Sequence, residues 1–78
     1  MLDELSLRQV IKKIVPTCAV DSLNAGTPFE QAGIDSLDHS AILLELQERF
    51  ELVVPDEDVE RTNSIRGILD YADSRPSS

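Results

Sequence analysis

From Ser36 to Phe50 apolar residues recur at helical spacing on two sides of one rod, and this doubled pattern limits what the chain can become. Counting about 100° per residue from Leu37, the side chains of His39, Ile42, Leu43, Leu46 and Phe50 fall between about 140° and 240°, a broad core face. Leu37, Ala41 and Leu44 fall near 0° by the same count, on the opposite side. Asp38, Glu45 and Glu48 border that second stripe, so burying it inside the domain would desolvate carboxylates at high cost. The expectation is an exposed strip: apolar residues give contact area and acids steer a basic partner. Scattered exposed leucines are also ordinary, and a plain solvated surface is the competing reading.

The rod opens on Gly33-Ile34-Asp35-Ser36-Leu37-Asp38. Asp35 has the side chain of a helix N-cap, which places Ser36 and Leu37 in the first turn, where backbone NH groups have no intrahelical acceptor. A hydroxyl there lies at the positive end of the helix dipole, and a phosphodiester formed on it would be stabilised. The same pair would also serve as nothing more than a cap. A catalytic serine would need a base within hydrogen-bond reach. The only histidine, His39, lies three residues along the same helix, with no recognisable oxyanion donors or orienting third group. His39 is expected to be packed or partly exposed near the mouth of any internal pocket.

A chain of 78 residues can form one domain with a small core, which leaves little room for an enclosed active site. One cysteine, Cys18, allows no internal disulfide, and it reads as a small core or loop residue. No metal-ligand cluster, signal peptide or apolar run of membrane-crossing length is present, so a cytoplasmic monomer is expected. The whole net charge of −8 falls between residues 35 and 60, where nine acids face Arg49 alone. A field of that sign repels nucleic acid and anionic membrane and favours proteins with basic patches. A solvated acidic surface that only confers solubility is the blander alternative.

The rest of the chain reads as further helices. Over residues 3–15, Leu7, Val10, Ile11 and Ile14 share one face of an amphipathic helix that Pro16 ends, with Arg8, Lys12 and Lys13 on the polar side. Leu2 and Leu5 fall off that face. Residues 16–34 form a long loop with turn residues and no sustained period, anchored by Val20, Leu23 and Phe29. The second helix spans 36–50. Leu52-Val53-Val54 reads as a buried linker. Pro55-Asp56-Glu57-Asp58 opens a short third helix over 56–61, with proline early and acids in the first turn. Thr62-Asn63-Ser64 supplies caps for a fourth helix over 65–74, in which Ile65, Ile68, Leu69 and Ala72 share a face and Gly67 is a modest weakness. Residues 75–78 read as a frayed tail. The expected fold is all-α, a small four-helix bundle of three main helices and one short one, forming a single domain over 1–78.

Gly33-x-Asp35-Ser36-Leu37-Asp38, Leu46, Phe50, Pro55-Asp56-Glu57 and Ile68-Leu69-Asp70-Tyr71 resemble the pattern of the acyl carrier proteins, the free-standing bacterial type II carriers. The resemblance covers about residues 33 to 73. It implies that Ser36, flanked by Asp35 and Leu37, takes 4'-phosphopantetheine from coenzyme A through a separate Mg-dependent phosphopantetheinyl transferase. The arm's thiol would carry acyl groups as thioesters between enzymes of fatty acid, polyketide or related lipid biosynthesis. The protein would be a carrier and not an enzyme. Leu37, Asp38, Ala41, Leu44, Glu45, Glu48, Asp56 and Glu57 would dock acyl-transferring, condensing or ligating enzymes that have basic patches. Ile42, Leu43, Leu46, Phe50, Val54, Ile65 and Leu69 would line a space for the acyl chain. Ala41 stands where the family commonly has an acid, and Gln47 and Arg49 interrupt an often acidic run, which points to a specialised pathway. A carrier of aminoacyl or peptidyl groups, and an unmodified acidic helical adaptor, are the alternatives.

Overall fold

A computed structural model describes residues 2–74, and within them the chain is all-helical. Three α-helices, α1 (Glu4–Ile14), α2 (Ser36–Phe50) and α3 (Ile65–Ser74), are joined by segments that contain three 3-10 turns. The expected tail, 75–78, lies outside the described residues. Among the described residues no helix is long and apolar enough to cross a membrane.

The Asp3 carboxylate accepts from Ser6 N at 2.8 Å and so starts α1. That hydrogen bond holds the Asp3 carboxyl below its ordinary value. Val15 ends the helix one residue before Pro16, its NH donating to Ile11 O at 2.7 Å. Leu7, Val10 and Ile11 are completely buried, and α1 packs against both α2 and α3. Leu2 packs on the edge of the core, whereas Leu5 points to solvent.

The long connection is more ordered than its composition suggests, with 3-10 turns at Val20–Ser22 and Phe29–Ala32. Turns of three and four residues are too short to leave a period in the sequence. Val20 and Phe29 are buried as expected, and Ile34 joins them. A polar clamp holds the first part: the Arg8 guanidinium donates to the carbonyls of Val20 and Leu23 and pairs with Glu4. The second part is stitched to the far end of the chain. Arg66 N donates to Ala25 O at 2.8 Å and Phe29 N to Asn63 O at 2.6 Å.

Helix α2 ends at Glu51, which adopts a left-handed conformation (φ 58°) where glycine is usual. The linker after it is only partly buried. Leu52 is in the core but Val53 is 53% exposed, because successive side chains of extended backbone point to opposite sides. The short third helix is a 3-10 helix, Asp56–Thr62. Ser64 caps α3, its hydroxyl accepting from Gly67 N at 3.0 Å, and Ile65 and Ile68 complete the core.

Lys13 on α1 and Glu45 on α2 form a bridge of 2.8 Å, with Arg49 3.6 Å from the same carboxylate. The Lys13 hydrogen bond holds the Glu45 carboxyl below its ordinary value, against the opposing effect of burial. A carboxylate depressed in the folded state stabilises the fold above its unfolded value of about 4.3, and that contribution fades as pH falls through the lower folded value. Wild type is therefore expected to melt above Glu45→Gln at pH 7, with the gap closing below about pH 4. Thermal melts of both proteins from pH 7 to pH 3 check this, and a gap that stays constant to pH 3 would exclude the ion pair as its source.

Candidate functional site at the start of the second helix

Three successive residues build the loop that presents Ser36. Gly33 takes a left-handed conformation (φ 84°), which costs a residue without a Cβ little and turns the chain back after Phe29–Ala32. Ile34 then drops into the core, and its NH donates to Phe29 O at 2.9 Å. Asp35 caps α2, its carboxylate accepting from Asp38 N at 2.8 Å. The next residue, Ser36, is exposed at the first helical position. A buried anchor immediately before a capped helix leaves that hydroxyl facing solvent.

The NH groups of Ser36 and Leu37 belong to the first turn and have no intrahelical acceptor, so an anion on the Ser36 oxygen would meet free donors and the positive helix end. The exposed hydroxyl and this polarity fit a phosphodiester.

A cleft of about 670 Å³ opens beside Ser36, between the start of α2, the Phe29–Ala32 turn and the Asp56–Thr62 turn. Phe29, Ile34 and Val59 form its apolar part, and Glu30, Asp35, His39, Glu60 and Asn63 its polar part. His39 is half-buried there, as expected for a residue near a pocket mouth. Its Nε2 lies 2.8 Å from Thr62 O, and since a carbonyl can only accept, that nitrogen carries the proton. It is thereby lost as a base for Ser36.

The residues expected to line an acyl space lie apart from this cleft. Ile42, Leu43, Leu46 and Ile65 are buried in the packed core, with Phe50, Val54 and Leu69 against its edge, and none of the seven lines the cleft. Helical periodicity identifies which residues are apolar and inward, but a filled core and an open recess present the same pattern. Val59 was missed as a lining residue because the Asp56–Thr62 turn that brings it beside Ser36 is remote in sequence, and Phe29 and Ile34 because an apolar residue near the helix start reads only as core.

The outer face of α2 carries Leu37 at 79% and Leu44 at 55% exposure, with Glu48 exposed and Asp38 and Ala41 half-covered. Asp56 and Glu57 are exposed at the start of the 3-10 helix. Glu45, also in the expected docking set, has a side chain only 14% exposed, and its charge is engaged by Lys13 and Arg49.

A family model described as "Phosphopantetheine attachment site" matches residues 6–72. The chain is also similar to the acyl carrier protein of Buchnera aphidicola subsp. Schizaphis graminum (strain Sg). The two are 26% identical over 72 residues, which is 92% of this chain and 91% of that protein. The family match spans nearly all of the fold, including the exposed serine at the head of α2. The chain therefore belongs to the phosphopantetheine attachment family, as an acyl-carrier-like protein that bears covalent 4'-phosphopantetheine and is not an enzyme.

Proposed function

We propose that Ser36 is the attachment point and that the chain shuttles acyl groups between enzymes of fatty acid, polyketide or related lipid biosynthesis. The observation that carries this reading is the exposed Ser36 hydroxyl at the first position of α2, with a cleft beside it. In the loading step the Ser36 oxygen bonds the phosphorus of coenzyme A that bears the pantetheine. The pyrophosphate bond breaks, adenosine bisphosphate leaves, and the hydroxyl proton passes to the transferase. The attached arm supplies a terminal thiol that holds acyl groups as thioesters. Ser36, with Asp35 capping the helix, holds the arm outside the core, and likeness to a bacterial carrier supports a cytoplasmic shuttle.

The test is incubation of the chain with coenzyme A and a broad-specificity phosphopantetheinyl transferase, read by intact mass and by mapping the modified peptide. One phosphopantetheinyl unit on the peptide containing Ser36 supports the reading; a unit on another peptide, or none with a transferase active on a control carrier, overturns it. Family membership removes the support for an unmodified adaptor.

Partner enzymes would dock on Leu37, Leu44, Asp38 and Glu48, with Asp56 and Glu57 extending the acidic surface. Leu44→Arg places a cation on this face without touching the core. It is expected to leave the helical circular dichroism unchanged while lowering kcat/KM for transfer to a partner by about tenfold or more. Loss of helicity in this variant would show that Leu44 supports the fold instead.

A further inference from the structure

The outer face of α2 does not keep one sign along its length. Leu37, Leu44 and Glu48 lie on the exposed strip, with Asp38 beside it near the Ser36 end. Counting about 100° per residue, Glu45 and Arg49 fall on the same border as Asp38, about two and three turns further along.

At that end the border changes from acidic to basic. The Glu45 side chain is 14% exposed, and one of its oxygens takes both Lys13 Nζ at 2.8 Å and an Arg49 guanidinium nitrogen at 3.6 Å. The cations are open to solvent, Lys13 by 61% and Arg49 by 50%. Two positive charges against one negative leave a positive excess, and the covered carboxylate is the group that a partner touches least. The Arg49 guanidinium also lies over the Phe50 ring, 5.8 Å from its centroid, which helps to hold it at the end of the helix. A protein that approaches here meets cations.

From Leu37 to Arg49 the helix rises about 18 Å, whereas an ordinary interface of roughly 800 Å² per partner is about 30 Å across. A partner seated on Leu37 and Leu44 therefore reaches the cation pair as well. A uniformly basic patch is repelled there, while a patch that ends in a carboxylate gains an ion pair. We propose that Lys13 and Arg49 are specificity-determining residues of the docking face, which fits a partner enzyme whose patch is basic opposite Asp38 and Glu48 and acidic opposite the Lys13 and Arg49 pair. The proposal rests on the reading of α2 as the docking face.

The probe is a phosphopantetheinyl transferase whose carrier groove is lined by lysine and arginine. Its association with the unloaded full chain is followed without coenzyme A, so the outcome does not depend on where the arm attaches. Arg49→Glu is expected to raise the association rate by about threefold or more at low salt, with the gain shrinking at about 0.5 M salt. Lys13→Glu should act in the same direction, and Arg49→Lys, which keeps the charge, should match wild type. Should Lys13→Glu fail to fold, because it sets a second carboxylate against Glu45, Arg49→Glu decides alone. In the converse arm each basic residue of the groove is changed in turn to Glu. One such reversal should speed association with wild type and slow it with Arg49→Glu, a coupling that a purely structural ion pair would not produce. Equal rates for wild type and Arg49→Glu, or a slowing of wild type by every groove reversal, would overturn the proposal. An unchanged rate in Glu48→Arg would instead remove α2 as the docking face, and the proposal with it.

Discussion

Ser36→Ala is expected to end loading completely, leaving the chain at its unmodified mass after exhaustive incubation with coenzyme A and an active transferase. The effect is all or none because alanine has no oxygen to bond phosphorus. The fold should survive, since Ser36 is exposed and alanine is favourable in a helix. Ser40 provides the control, being a second exposed serine on α2, one turn further from the helix start. Ser40→Ala should load as wild type does. A mass gain on Ser36→Ala, or its loss on Ser40→Ala, would place the attachment elsewhere. Because each variant is read by mass, a folding defect seen by circular dichroism can be separated from loss of the acceptor.

The second large effect runs against helix propensity. Gly67 lies inside α3, and replacing an interior helical glycine by alanine ordinarily adds up to about 1 kcal/mol of stability. Here a Cβ at residue 67 would lie 2.5 Å from the carbonyl oxygen of Arg61 and 3.2 Å from the Ser64 hydroxyl. The carbonyl is backbone in the Asp56–Thr62 turn, so it cannot rotate away as a flexible side chain would. Overpacking of this kind costs about 1 to 3 kcal/mol. Gly67→Ala is therefore expected to lose about 1 to 2 kcal/mol net, lowering the melting temperature by roughly 5 to 15 °C. An unchanged or higher melting temperature would show that the turn yields freely. The same turn holds Val59 and Glu60 in the cleft and Thr62 against His39, so the strain should also register in the resonances of His39.

Gly67 marks the division between what local sequence carries and what it does not. Its role as a helix weakness is local and legible. Its role as the point where α3 meets the preceding turn depends on a backbone atom six residues away in sequence. Arg8 is similar, since its charge reads as the polar side of α1, yet its guanidinium clamps the carbonyls of Val20 and Leu23.

By itself the sequence determined the three main helices, their buried faces and the exposed serine at the head of α2. These follow from apolar spacing at the helical period and from a capping aspartate, which act over a few residues. Only the tertiary structure decided that the seven apolar residues expected around an acyl chain are packed in the core or against its edge, that Glu45 is engaged by Lys13, and that the Asp56–Thr62 turn walls one side of the recess beside Ser36. The physical reason is that periodicity reports which way a side chain faces, whereas a cavity or an ion pair depends on what the rest of the chain brings opposite it.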